Sequence, residues 1–367
     1  MGSMMASDFV PHARVYVAWP ERTDTWRDNA MPAQLAFAKL VAVLARYEHV
    51  TLLVSPEQKD NASMMIRRSL TSRSDDDGDL REISMLTLPL DDAWVRDTGP
   101  TFITDKETNK LVQAVDWTFN AWGSTCFQEY ENDDAVAARV AEHARVACAR
   151  SDVVMEGGAL CCDGEGTLLV TEECLLCANR NPSLSKAQIE EKLKTTLGVS
   201  TVIWLPYGLH GDTDTNGHVD NVACFAAPGK VLLAWEEDAN DPQHARSLAN
   251  LEALASARDA RGRELDVIKV HQPPPIVRRA DEAEGVVTSL EAKARPEGER
   301  LAASYINFYI GNGVIVAPSF ENEHADASAH AILADAFPAR DVVGLPAREF
   351  LLGGGGIHCV TLGEPER

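Results

Sequence analysis

The chain is short of basic residues: 34 lysines and arginines stand against 56 aspartates and glutamates, a formal net charge of −22. That deficit argues against nucleic acid and anionic membranes as partners, because both are gripped through basic patches. Acidic surfaces mainly serve solubility, and an acidic cleft also suits a cationic small molecule. No apolar run approaches the roughly 18 residues of a membrane span, and no basic stretch followed by an apolar one opens the chain. A cytoplasmic protein is the expectation. Eight cysteines in 367 residues are too few for a disulfide scaffold and are read as reduced. Cys161, Cys162, Cys174 and Cys177 sit close together and include one Cys-x-x-Cys, so a zinc site has to be weighed. A second such pair is missing, and Leu175 and Leu176 fill the first. The four are therefore read as small buried hydrophobes.

What is present is a mixed α/β pattern with ample apolar material, 45% of the residues. Runs of valine, isoleucine and leucine predict strands over Val15–Trp19, Val50–Val54, Thr167–Val170, Val202–Leu205, Val231–Trp235 and Val314–Val316. Between them, helical periodicity covers Pro32–Tyr47, Asp134–Ala149, Lys186–Leu197 and Pro242–Ala257, with Ser185 as an N-cap and Asp241-Pro242 as an opening. Ser72–Asp79 and Pro273–Arg300 read as surface loops. Met1–Met5 looks like a cloning remnant ahead of a start at Met4 or Met5, which leaves residues 6–367 as one domain. The strand–helix alternation recurs about five times.

Four glycines, Gly353 to Gly356, lead through Ile357 and His358 to Cys359 near the end of the chain. Such a run is costly to order and suits a sharp bend against a ligand, with one thiol left to attack it. Cys359 is the candidate nucleophile. In GDTDTNGHVDNVACF, His218 and Asp220 would share one face of an extended strand, for proton transfer or cation binding. A hydrogen-bonded surface pair is the alternative. In DAWVRDTGP, Asp97 is expected at a strand end and Trp94 as an aromatic wall for a planar cation; a buried tryptophan with an Arg96 salt bridge is the alternative. Glu156 closes an apolar strand ahead of Gly157 and Gly158. One thiol, one imidazole and three carboxylates beside glycines or turns would suit a guanidinium, whose planar fork of donors matches paired carboxylates.

Taken together, RDTGP, EGG, HVD and the terminal GGGGIHC resemble the guanidino-group-modifying superfamily, and within it the agmatine deiminase family. TEECLL with NRNPSLSK, TDTNGHVDN and RLAASYINFYIGNGVIVAPSF extend the resemblance from Trp19-Pro20 to Cys359. It implies the pentein fold, a five-bladed α/β propeller with pseudo-fivefold ββαβ modules around a central active site. It implies hydrolysis of agmatine to N-carbamoylputrescine and ammonia in putrescine biosynthesis, without metal or organic cofactor. A homodimer or higher homo-oligomer is plausible for the family. Carried over residue by residue, Cys359 is the nucleophile and His218 the general acid/base. Glu156 would orient His218, and Asp97 and Asp220 would clamp the guanidinium.

Gly356 is counted among the substrate-binding positions. For the distal ammonium of agmatine, Asp214 is the candidate, with Trp94 along the alkyl chain; a turn cap is the other reading of Asp214. His358 is set aside as a partner of Cys359, since neighbours on a strand face opposite ways. Val360–Pro365 departs from the glutamine-rich stretch expected there. The rivals are a free-arginine or peptidyl-arginine deiminase, an amidinotransferase and a non-catalytic pentein. An arginine substrate would need a basic residue for its carboxylate, and none stands beside the motifs.

Overall fold

The computed structural model describes residues 2–71 and 79–367, so the expected loop at Ser72–Asp79 lies outside it but for its last residue. Five sheets repeat one plan. Two strands pair antiparallel, a helix crosses over, and the next strand returns parallel to its predecessor, because a parallel pair cannot be closed by a short turn. Cys161–Cys162, Thr167–Thr171, the helix Lys186–Leu197 and Thr201–Leu205 form one such unit. Ala223–Ala227, Lys230–Trp235, the helix Pro242–Ser256 and Asp266–His271 form the next. Tyr309–Gly311, Val314–Ser319, the helix Glu323–Ala336 and Asp341–Pro346 form another.

In a fourth unit, Thr101–Asp105 pairs with Leu111–Thr118, and Cys148–Val154 follows the helix Val136–His143. The last joins the two ends of the chain: Thr361–Pro365 pairs antiparallel with His12–Ala18, and Val50–Val54 follows the helix Met31–Leu44. A second helix, Lys59–Thr71, leads to the extra strand Ile83–Thr87. Val50–Val54, flanked on both edges, is buried at every position.

The helix Lys186–Leu197 keeps its expected bounds because Ser185 and Gln188 close a capping box and Gly198 turns left-handed behind it. Elsewhere the periodicity misleads. The helix expected over Asp134–Ala149 stops at His143, Arg145 takes a positive φ of 49°, and Cys148 already belongs to a strand. Ser3–Met5, set aside as a remnant, is an edge strand on Thr101–Asp105 with Met4 and Met5 buried. Pro273–Arg300 is no mere surface loop: it carries the short helix Ala280–Glu284, buries Arg278 and bridges to Phe127 through Ala292. Among the described residues no helix is long and apolar enough to cross a membrane.

Candidate active site

The glycine run is a close-packed turn. A Cβ on Gly353 would fall 2.3 Å from the Trp26 ring, one on Gly355 2.5 Å from Trp94 and one on Gly356 2.3 Å from Asn307 Oδ1. Gly354 caps the helix Arg348–Gly353 with a φ of 117°. The turn delivers Cys359 into a 3-10 turn, His358–Val360, rather than a strand. The Cys359 thiol is buried, 3.2 Å from Asn307 Nδ2 and 3.6 Å from Asp220 Oδ2. Burial, Asp220 and Asp97 hold its pKa well above the ordinary thiol value, against the opposing pull of the Gly356 and Asn307 donors.

His218 and Asp220 do not share a strand face either. His218 caps a 3-10 turn, Val219–Asn221, yet both side chains still meet, across Gly158. A Cβ on Gly158 would lie 2.6 Å from His218 Nδ1, 2.7 Å from Asp97 Oδ1 and 3.0 Å from Asp220 Oδ2. Only a glycine leaves that point open. Asp97 sits in a one-turn helix, Val95–Thr98, rather than at a strand end; Gly158 N–H and Trp122 Nε1 donate to it at 2.9 and 3.0 Å. Burial raises its pKa to about 6, with Asp220 and Glu156 adding to the rise and His218 opposing it.

Glu156 follows the strand Cys148–Val154, as expected, and is fixed by Arg180 Nε at 2.7 Å. Burial disfavours its charge, but Arg180 and His218 outweigh burial and hold its carboxyl below the usual range. His218 Nε2 lies 3.4 Å from Glu156 Oε2, and its Nδ1, with no hydrogen-bond partner, lies 3.7 Å from Asp97 Oδ1. Burial opposes the imidazolium, yet Asp97, Cys174 and Glu156 raise the His218 pKa well above its ordinary value. Arg180 also ties this acid to the loop ahead of His218, through Thr215 O at 2.9 Å and Asn216 Oδ1 at 2.7 Å.

A cavity opens onto Cys359 and Asp97, walled by Trp94, Trp122, Phe127, Asp214 and Arg295. Asp92 fixes Trp94 by accepting its indole N–H at 3.0 Å. Asp214 reaches the cavity, but Lys293 Nζ holds its Oδ1 and Arg295 Nη1 its Oδ2, the latter at 2.6 Å. Burial is outweighed by these two cations, and the Asp214 carboxyl stays below its usual range.

The lysine and arginine come from the segment read as a loop, so a basic residue does line the cavity. Asn307, Arg180, Trp122, Arg295 and His358 are the residues that sequence reasoning missed or set aside. Arg180 and Asn307 fall inside the NRNPSLSK and YINFYIGNG stretches, where nothing in the spacing marks them as chemical. Of the four clustered cysteines, Cys161, Cys162 and Cys174 are buried. Among the described residues Cys174 joins only Glu156 and His218 in a metal-like cluster, and the Arg180 cation on the same carboxylate disfavours an ion there.

A buried thiol, an imidazole flanked by carboxylates and paired acids thus meet beside one cavity, an arrangement able to carry covalent chemistry on a planar cation. Residues 4–365 match the Porphyromonas-type peptidyl-arginine deiminase family. An agmatine deiminase of Stutzerimonas stutzeri is 47% identical over 368 residues, covering 99% of this chain and 96% of its own. One of Medicago truncatula is 44% identical over 374 residues, with the same coverage. The solved agmatine deiminase of Enterococcus faecalis superposes with a TM-score of 0.90 at 36% identity, covering 100% of this chain and 96% of that one. The chain belongs to this deiminase family.

Proposed function

We propose that the chain hydrolyses agmatine to N-carbamoylputrescine and ammonia, a step towards putrescine, through a covalent S-alkylthiouronium intermediate. The five ββαβ units close into a five-bladed propeller around the site, and the enzyme works in the cytoplasm. The observation that carries the reading is the convergence of His218 Nδ1, Asp97 Oδ1 and Asp220 Oδ2 on the open point at Gly158, beside the Cys359 thiol.

The guanidinium lies between Asp97 and Asp220, whose acceptors match its fork of donors. Its positive charge offsets the two carboxylates that suppress thiol ionisation, so substrate binding itself favours the Cys359 thiolate. The thiolate adds to the guanidinium carbon. His218, held protonated through Glu156 and Asp97, gives its Nδ1 proton to the departing amine, and ammonia leaves. The neutral imidazole then takes a proton from water as that water adds to the thiouronium carbon. Collapse of the adduct returns the thiolate and leaves the ureide, whose hydroxyl proton passes to solvent. The sequence of steps calls on no metal or organic cofactor.

Trp94 runs along the alkyl chain, and the backbone of the glycine turn, Gly356 included, lies against the guanidinium. Asp214 takes the distal ammonium only if it is shared with, or released by, Lys293 and Arg295. Arg295 is also the one observation that favours a second reading, in which an arginine carboxylate is the distal group. Ammonia release from agmatine, arginine and a peptidyl-arginine, by wild type and Cys359→Ser, tests both. Turnover of agmatine alone, lost in the mutant, is expected. Preference for arginine would keep the chemistry and transfer the distal role from Asp214 to Arg295. Ammonia from none of the three would overturn the hydrolase reading.

A further inference from the structure

His358, adjacent to the thiol in sequence, does not touch it in the way a base would. Its Nδ1 lies 2.9 Å from Asp220 Oδ2, and its Nε2 lies 3.5 Å from Asp8 Oδ2 on the N-terminal segment. Both ring nitrogens thus face carboxylates, an arrangement suited to an imidazolium donating twice. The division of labour at Asp220 is the second observation. Its Oδ2 is held by His358 and is also the oxygen that lies 3.6 Å from the Cys359 thiol and at the open point beside Gly158, while its Oδ1 is buried with no hydrogen-bond partner.

We propose that His358 is a positioning residue: a charged imidazole clamped between Asp8 and Asp220 that keeps Asp220 ionised and fixed in rotamer, with its Oδ2 at the open point beside Gly158 where the substrate cation binds. The inference rests on the guanidinium reading above and deepens it. The charged groups facing His358 are Asp220 and Asp8, with Arg96 behind them; Arg96 Nη1 bonds Asp8 Oδ1 at 3.0 Å, and the His12 ring lies near Asp8. The Cys161 and Cys224 thiols share the small cavity on this side. Burial and Arg96 oppose a charge on His358, and the two carboxylates outweigh them, so its pKa lies above the ordinary histidine value. The sign follows. The charged form is present below that raised pKa and is lost as pH rises through it.

The decisive comparison is His358→Gln, which can still donate one hydrogen bond but carries no charge, with Asp8→Asn as a milder perturbation of the same clamp. In the Gln variant Asp220 should protonate more readily, so the acid limb of kcat/KM for agmatine, which Asp97 begins near pH 6, should turn from a one-proton to a two-proton slope at higher pH than in wild type. Agmatine affinity in a Cys359→Ala background should fall about tenfold, the scale of one charge-assisted hydrogen bond. Asp8→Asn should move both quantities in the same direction by less. Side-chain 15N NMR, which needs no turnover, should find both His358 nitrogens protonated at neutral pH, and deprotonation at lower pH in Asp8→Asn. A neutral His358 at pH 7, or a Gln variant with unchanged acid limb and affinity, overturns the proposal. A wild type that is inert towards agmatine while His358 is charged overturns the substrate reading and leaves the clamp standing.

Discussion

The Asn307 side chain grips both His358 and Cys359 in the turn that follows the glycine run. Its Nδ2 donates to Cys359 Sγ at 3.2 Å, and its Oδ1 accepts the His358 backbone N–H at 2.9 Å. A second donation from the same Nδ2, to Asn221 Oδ1 at 3.0 Å, links the thiol to the turn that carries Asp220. The amide therefore positions the sulfur and favours its anion. Asn307→Ala should lower kcat/KM for agmatine by roughly tenfold to a hundredfold, the range for a hydrogen bond to a charged group. The same variant should be alkylated by iodoacetamide more slowly than wild type at pH 8. Faster alkylation would mean that the amide shields the thiol rather than activating it.

Asp220 has two opposed effects on Cys359, and they can be separated. In the free enzyme its negative charge is, after burial, the largest influence raising the thiol pKa; in the proposed substrate complex it binds the cation. Asp220→Asn should therefore make Cys359 more reactive towards iodoacetamide at neutral pH while nearly abolishing agmatine turnover. Parallel loss of both would show that the substitution disorders the turn, because an electrostatic role requires the two rates to move apart.

The residues of this site were legible in the sequence where chemistry sits beside glycine, and illegible where it depends on tertiary approach. Cys359, His218, Asp97, Asp220 and Glu156 could be picked out because each stands at a turn. Their local geometry could not. His218 and Asp220 meet across Gly158 from a 3-10 turn, a shape that alternation along a strand does not describe. The same assumption removed His358 from consideration, although a 3-10 turn lets its ring reach Asp220. Arg295 was hidden by its polar, proline-containing surroundings, which resemble a solvated loop until Asp214 is seen to anchor them. At fold level, the apolar strands were plain, whereas the exposed edge of Cys148–Val154 carried too little apolar signal to end the preceding helix pattern.

Gly158 is the sharpest steric test of convergence. An added methyl would sit within 3.0 Å of His218, Asp97 and Asp220 at once, and none of the three is a loose surface chain. Gly158→Ala should leave the protein folded, as judged by circular dichroism, and reduce kcat/KM for agmatine more than a hundredfold, since sub-ångström displacement of aligned groups is costly. Retention of more than a tenth of wild-type activity would mean that the three atoms need not meet at that point.

Asp97 ties activity to stability in opposite senses. Burial first, then the neighbouring acids, lift its pKa from the ordinary 3.8 to about 6. The folded protein thus binds this proton more tightly than the unfolded chain does. The group's contribution is favourable at low pH and is lost as pH rises towards 6, leaving a constant penalty above it. Asp97→Asn removes the penalty while keeping an acceptor for the Gly158 N–H or Trp122 indole. Thermal unfolding should therefore show the variant stabilised by roughly 1–3 kcal/mol at pH 8, with the gain shrinking towards zero near pH 4. Wild-type kcat/KM should fall as pH drops through about 6, where Asp97 gains its proton and ceases to hold a guanidinium. A variant equally stabilised at pH 4 and pH 8 would assign the gain to packing, and a destabilised one would show that the ionised carboxylate, not the neutral acid, is what the folded site prefers.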